Sequence, residues 1–524
     1  VKLAHNIRTL CRSEEGAIMV FVAVCLSLLL GMAALAFDFG RVTTTQSELQ
    51  SFADNVALAA AGELDGHSDS ITRATRAAAN VINDRQTFGI RNKDQTLSGS
   101  TDYQLQFYEA PANMDVEPGQ PEDLLDVADA DSARKAAFVR VSVVAHEVDT
   151  PLAAAMASLL DHPYQFASVH AEAVAGFTLV ACDITPMFFC LPQPSLEVTQ
   201  GQLIKMVSQG GGSEAWGPGN FGFLAVSDVL GIDQAGACQN APPGQEDSCA
   251  LAASQAVSQC FSQRGVETSP GLSIGNMIAG FNTRFDQYAA SAGQFRNEMK
   301  YDVDNFAAAP NVLDGWITTA SGGSCSTEPS PPYEVDGEID PTATVGLPID
   351  DCFTGVGSCP SSRIGDGDFS AGLQNYLAVN YGADYSGETP AGIPAWFPQN
   401  GTRHEIYKAE LANQASLQAI LAAAGKAESS LPSCQPPSTG SANPNRRVIV
   451  AAGIDCATYE SELNGGSGVI PVSKFVELFL IRPSESDGTG ANAVIYAEVI
   501  RTVESGPASG GTGGILHDVV QLYR

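Results

Sequence analysis

The sequence predicts an α+β protein held on one membrane helix. Three observations lead there. Gly16 to Phe37 reads GAIMVFVAVCLSLLLGMAALAF, 22 residues without a charge, and at about 1.5 Å rise per residue such a helix just crosses a hydrocarbon core of roughly 30 Å. Beyond it a helical apolar period gives way to segments with the two-residue period of strands. Ten of the twelve cysteines fall between Cys182 and Cys456. The expected layout is a basic segment (1–15), the span (16–37), a helix with a small antiparallel sheet (38–176), and a disulfide-containing mixed α/β domain (177–524).

The flanks of the span set its expected direction. Lys2, Arg8 and Arg12 precede it, against Arg41 after it, which places the N-terminus in the cytoplasm and the bulk outside. Phe37-Asp38-Phe39 is a poor cleavage site and the apolar run is long for a signal peptide, so an uncleaved anchor is expected. Ala23, Ser27 and Gly31 recur every four residues. Such a small-residue stripe lets a second helix approach and offers a route to an oligomer.

Lys plus Arg is 27 and Asp plus Glu is 59, a net charge of −32. That balance excludes a nucleic-acid partner, whose phosphates need cations opposite them. The even set of cysteines in one part of the chain reads as disulfides formed in an oxidising compartment.

Thr43 to Ala61 contains no Pro or Gly, and Leu49, Phe52, Ala53, Val56, Ala57 and Ala60 make one apolar helix face. The span therefore continues as an amphipathic helix until Gly62. Here the chain resembles a known family. Arg12-Ser13-Glu14-Glu15-Gly16-Ala17 leads the apolar run, Phe37-Asp38-Phe39-Gly40 closes it, and Leu49-Gln50-Ser51-Phe52-Ala53-Asp54-Asn55-Val56-Ala57-Leu58-Ala59-Ala60-Ala61 follows. This is similar to the N-terminal domain of TadG-like proteins of the Flp-pilus (tight adherence, Tad) assembly system. The resemblance implies a pilin-like domain over 38–176 and a cytoplasmic-membrane protein with a periplasmic bulk. Pseudopilins of that system carry a Glu five residues after a processing Gly. Here that position is Phe21, so no prepilin-peptidase cleavage is expected.

The next segments fit such a domain. Asp69 to Arg85 reads as a helix, with Asp69 or Ser70 as N-cap. Tyr103 to Tyr108, Phe138 to Val144 and Phe166 to Ala175 read as strands, and Pro151 starts a short helix. Pro111 to Asp131 reads as an acidic loop.

The second domain opens with Phe177 to Cys190. Some TadG-like proteins carry a von Willebrand A-like domain, whose first strand ends in a metal-binding D-x-S-x-S. Asp183 and Thr185 stand at the first two of those positions, but Met187 replaces the last hydroxyl, and a thioether is no ligand for magnesium. The expectation is a degenerate sheet of that type with the metal site lost. Residues 191–445 read as a long irregular insertion, with one helix over Ser248 to Phe261. Cys249 and Cys260 would lie about 16 Å apart on that helix, too far to pair with each other. One of them is expected to take Cys238 and the other a more distant partner. Cys182 with Cys190 and Cys352 with Cys359 are local candidates. Cys325, Cys434 and Cys456 complete the set, with Cys456 tying the C-terminal sheet to a loop. The segments around Arg284 and Asp286, and around Arg403 and Glu405, read as Arg–acid pairs holding loops together. Within 446–524 four strands are expected: Arg447 to Gly453, Val472 to Ile481, Ala493 to Val503 and Ile515 to Tyr523.

No nucleophile elbow, H-E-x-x-H, phosphate loop or C-x-x-C stands in the chain, so neither catalysis nor a cofactor is expected. The best cation candidate is Asp366 with Asp368 on a glycine-rich turn, but the remaining EF-hand oxygens are missing, and a solvated acidic loop is the plainer reading. Together with the resemblance, this implies a non-enzymatic component of Flp pilus assembly that contacts pilin, minor pilins or other Tad apparatus proteins. A surface adhesin on a membrane anchor is the alternative.

Overall fold

The computed structural model describes residues 14–65, 68–81, 84–85, 87, 96–97, 102–109, 124–159, 161–164, 167–182, 184–208, 216–225, 246–253, 260–263, 265–269, 274–288, 305–321, 324–386, 390–435, 443–465, 469–487, 492–503 and 516–523. The chain forms two compact units. One comprises Val1–Thr178 with Asp518–Arg524, the other Leu179–His517.

In the first unit, α1 (Glu14–Ala61) is one 48-residue helix. Its two halves meet different surroundings. Large apolar side chains from Ile18 to Phe39 are exposed, whereas Leu49, Phe52, Ala53, Val56, Ala57 and Ala60 are buried. The buried half packs on an antiparallel sheet of β1 (Tyr103–Tyr108), β2 (Phe138–Val148) and β3 (Ala167–Cys182). The C-terminal strand Leu516–Leu522 pairs with β3. On β2, Val139, Val141 and Val143 are buried while Arg140 and Ser142 are partly exposed, the alternation of a half-covered sheet. Gly176 faces Phe138 across the register. A Cβ there would sit 2.6 Å from the Phe138 ring, so only glycine fits. α2 (Ser70–Asn80) is shorter than the sequence predicts because Val81 turns to extended backbone. Arg73 on α2 reaches Glu63, Asp65 and Asp69 together. α3 (Pro151–Leu159) starts at its proline.

The second unit is built on six strands whose pairings run in a closed circuit. They are β4 (Met187–Cys190), β5 (Leu203–Ser208), β6 (Asn220–Leu224), β7 (Val448–Ile454), β8 (Lys474–Leu480) and β9 (Ala493–Val503). β4 lies parallel to β7, and β7–β8, β8–β9 and β9–β5 are antiparallel. β5 lies parallel to β6, which returns antiparallel to β4. One buried cluster takes Met187 and Phe189, Ile204 and Met206, Phe221 and Phe223, Ile449 and Ala451, Val476 and Leu478, Ile495 and Ala497 from the six strands in turn. The alternate residues face outward. Phe479, Val494 and Tyr496 meet the helices α4 (Ser370–Tyr381), α5 (Arg403–Ala412) and α6 (Gln414–Ala423), and Phe188, Cys190, Val450 and Ala452 join a third cluster with Val266 and Ile470.

Three expectations need correction. The von Willebrand A-like comparison implies a parallel sheet doubly wound by helices, but only two of the six pairings are parallel. The stretch 191–445 is not irregular throughout, since it supplies β5, β6 and the helices α4 to α6. The helix expected over Ser248 to Phe261 ends at Ala252, and Cys260 begins a strand paired with the end of β3. Cys249, Ala252, Ala253, Ala256, Val257 and Cys260 keep a helical spacing in the sequence, but the edge of β3 takes Cys260 into the sheet.

Candidate membrane-anchored assembly site

Side-chain bonds fasten the junction between the two halves of α1 to the rest of the first unit. Asp38 directly follows the uncharged stretch and is 6% exposed. Its carboxylate accepts the N–H groups of Leu152 (3.4 Å) and Ala153 (2.5 Å) at the start of α3. Those amides have no partner within their own helix, and a carboxylate there also meets the positive end of the helix dipole. One turn on, Arg41 donates to the Asp149 carbonyl at 2.8 Å. Further along the same helix, Gln46 Nε2 donates to the His170 carbonyl at 2.7 Å and Gln50 Nε2 to the Glu172 carbonyl at 2.8 Å, both on β3. The polar residues that punctuate the sequence after the span are thus the bonds that hold sheet and α3 to the helix.

The small-residue stripe lies in the exposed half. Ser27 donates to the Val24 carbonyl of its own helix, and a Cβ added at Gly31 would have nothing within 4 Å. Cys25, beside the stripe, carries a free thiol.

In the second unit the Arg–acid groups are buried staples. Arg403, fully buried, binds Asp350 through Nη2 and lies 3.5 Å from Glu498 through Nη1. It also donates from Nε to the Pro348 carbonyl at 2.6 Å, and its guanidinium stands 3.9 Å from the centre of the Phe369 ring. The partners are not the nearby acid in sequence: Glu405 instead closes a capping box with Thr402 at the start of α5. Asp286 accepts the N–H groups of Ser433, Cys434 and Gln435. Burial pushes its carboxyl up to about 6 against those three bonds. Arg284 donates to the Leu251 carbonyl, so the expected Arg284–Asp286 pair is corrected: each holds a loop through backbone groups rather than through the other's charge. Glu428 accepts from the Asp314 and Gly315 amides and the Thr344 hydroxyl. Burial raises Glu428 to about 7, and burial and the neighbouring Glu428 carboxylate raise Asp314 well above its ordinary range. Burial likewise lowers His404 to about 4.

The cation candidates do not converge. Asp366 accepts the Asp368 amide and Asp368 the Ser370 amide, each two residues on, which are Asx turns on an exposed loop. Asp350, Cys352 and Asp366 offer atoms within 4.8 Å of one another. Yet Cys352 is bonded to Cys359, and Asp350 already takes Arg403 and the Gly367 amide. Of the degenerate metal pair, Asp183 lies outside the described residues, and Thr185 donates its backbone N–H to the Val450 carbonyl. Met187 is a core residue of β4.

Three disulfides are described: Cys190–Cys456, Cys325–Cys434 and Cys352–Cys359. Cys182 and Cys249 are disulfide-bonded as well. The expected pairing of Cys182 with Cys190 is corrected. β4 and β7 are parallel neighbours with Cys190 opposite Ile454, which brings Cys456 to a Cα distance of 5.3 Å. Cys456 therefore joins two strand ends rather than a strand to a loop. Cys238 lies outside the described residues, and so does the side chain of Cys260.

Among the described residues, one long helix of this α+β protein is bare and apolar enough to cross a membrane at one end and sheet-packed at the other, which fits a membrane-anchored protein. Residues 16–63 match the family described as putative Flp pilus-assembly TadE/G-like. The matched range begins with the apolar stretch and ends just past α1, so it contains Asp38, Arg41, Gln46 and Gln50. Nothing among curated proteins or solved structures matches the chain.

Proposed function

We propose that this protein is a non-catalytic, membrane-anchored component of Flp pilus assembly. Its N-terminus lies in the cytoplasm, and its bulk contacts pilin, minor pilins or another Tad apparatus protein in the periplasm. The observation that carries this reading is the TadE/G-like match, which falls on the helix whose polar residues fasten span to sheet. The disulfides of the second unit support an oxidising location. The commitment of buried charged groups to bonds within the fold supports a structural role: Arg403 is held by Asp350 and Glu498, and Asp286 by three backbone amides.

Deletion of the gene in its native bacterium, with pili counted by electron microscopy, tests the reading. Loss of pili, restored by the full chain, is expected. Normal pilus number in the deletion overturns it. Membrane-impermeant biotin applied to intact cells separates the adhesin alternative, since a periplasmic protein escapes labelling. Mass spectrometry of the membrane-bound protein checks the anchor, and a mature start at Ala17 refutes permanent anchorage.

A further inference from the structure

α3 reads Pro-Leu-Ala-Ala-Ala-Met-Ala-Ser-Leu, nine residues without a charge. A helix this apolar is ordinarily buried. Here Leu152 is 40% exposed and Met156 47%, and Ala155 between them is exposed too. These three share a face by their three- and four-residue spacing. Its place on the helix is fixed: Asp38 holds the Leu152 and Ala153 amides, and Arg41 holds the Asp149 carbonyl. Asp38 is the first residue after the uncharged stretch. The start of α3 is therefore pinned at the level where α1 leaves the hydrocarbon. Phe37 and Phe39, 56% and 66% exposed, stand at the same level. Asp161, with φ of 55°, turns the chain away just past the helix.

We propose that α3 lies on the membrane surface, its Leu152, Ala155 and Met156 face set into the boundary between headgroups and acyl chains. The first unit would then hold the bilayer at two points, the spanning helix and this shorter one beside it. The occupant is lipid, because the face is continuous with a membrane span at the depth of its boundary. Charge does not draw it there. From Ser142 to Tyr164 the chain has no Lys or Arg, and Glu147, Asp149 and Asp161 are acidic. The contact is apolar, insensitive to salt, and needs no anionic lipid. It fixes the height and rotation of the sheet over the membrane, which one helix alone leaves free.

This inference rests on α1 spanning the membrane, and the test separates the two. The full chain carrying Cys11→Ser is placed in phosphatidylcholine vesicles with an environment-sensitive fluorophore on the native Cys25. Two further proteins, with Cys11→Ser and Cys25→Ser, carry the label at Leu152→Cys or Met156→Cys. Lipids brominated at different depths quench from within, and iodide quenches from water. The expected result is quenching of the Cys25 label by deep bromines. The labels at 152 and 156 should lose about half their emission to shallow bromines, in low and high salt alike, with iodide having little effect. If the label at 25 responds to lipid while those at 152 and 156 respond to iodide alone, α3 is in water and the inference is overturned. If neither quencher reaches 152 and 156, another protein covers the face, which also overturns it. If the label at 25 fails to respond to lipid, the anchor itself is wrong and both readings fall.

Discussion

Arg403→Met removes one buried cation that serves two buried carboxylates. Asp350 and Glu498 flank the guanidinium, and Asp350 is fully buried with Glu498 at 1% exposure. Methionine fills much of the volume but leaves both acids without their counter-charge. Breaking a buried ion pair from one side costs roughly 3–5 kcal/mol, because the remaining charge stays desolvated. Here the figure belongs at the lower end. Asp350 keeps the Gly367 amide at 2.7 Å, and Glu498 keeps the Arg403 amide at 2.8 Å, which methionine retains. Burial raises the Glu498 carboxyl to about 7, so it also has the option of taking up a proton. The assay is urea denaturation of the full chain in detergent, followed by tryptophan emission. All three tryptophans, Trp216, Trp316 and Trp396, lie in the second unit, so the signal reports that unit alone. With an m-value of about 3 kcal/mol/M or somewhat more for a unit of this size, a loss of about 3 kcal/mol moves the midpoint down by roughly 1 M. A midpoint unchanged within error would refute the idea that Arg403 holds its neighbours through charge. A loss of the same size in Arg403→Met with Asp350→Asn would place the effect in packing against Phe369 instead.

The acid pair Asp314 and Glu428 gives a pH dependence of definite sign. Both carboxyls are raised in the folded state, so the folded form binds more protons and stability falls as pH rises from about 4 through about 7. The tryptophan-monitored midpoint should be higher at pH 5 than at pH 8, and Asp314→Asn should recover on the order of 1 kcal/mol at pH 8 while changing little at pH 5. Cys190→Ser opens a bond between residues 266 apart, and Cys352→Ser one between residues 7 apart. The first should cost about 2–5 kcal/mol and the second distinctly less, since loop entropy grows with separation, and urea midpoints under non-reducing conditions rank them. Asp38→Ala should raise the exchange rate of the Leu152 and Ala153 amides about tenfold or more, corresponding to the loss of a cap worth about 1–2 kcal/mol. Mass-spectrometric hydrogen exchange of the 149–156 peptide measures it, and unchanged protection there would show that α3 does not depend on Asp38.

The long helix was legible because its signals are local. An uncharged run and a 3.6-residue period need no distant partner, and the same holds for β1, β2 and the glycine-bounded strands β7 to β9. What the sequence hid depends on pairing across long separations. β5 and β6 lie among glycine-rich segments such as Gly210-Gly211-Gly212 and Gly217-Pro218-Gly219, which read as loop, and they become strands because β9, β4 and each other offer edges. Helices α4 to α6 carry buried polar residues such as Asn380 and Glu410, which blur an apolar stripe. Glu410 is satisfied by Tyr376 and Tyr381 from another helix, something no window of sequence contains. Arg403 was readable as part of an ordered ion pair, but Asp350, 53 residues away, was not readable as its partner. In the same way Cys190 and Cys456 meet only because β4 and β7 run side by side.

The C-terminal strand has a consequence for the order in which the molecule is made. Leu516–Leu522 completes the sheet begun by β1 to β3, and Tyr523 donates its N–H to the Val174 carbonyl and packs its ring 5.1 Å from that of Phe138. Residues 179–517 stand between those partners in the chain. A chain emerging N-terminus first therefore presents α1 and three strands with one β3 edge open. Hundreds of residues must pass before the strand that closes it arrives. An open edge is a template for wrong pairing, so the interval is a window in which the newly made sheet is exposed to other strands. Residues 516–523 act as a late seal on the first part made, and a chain cut just before them would leave its damage in the first unit.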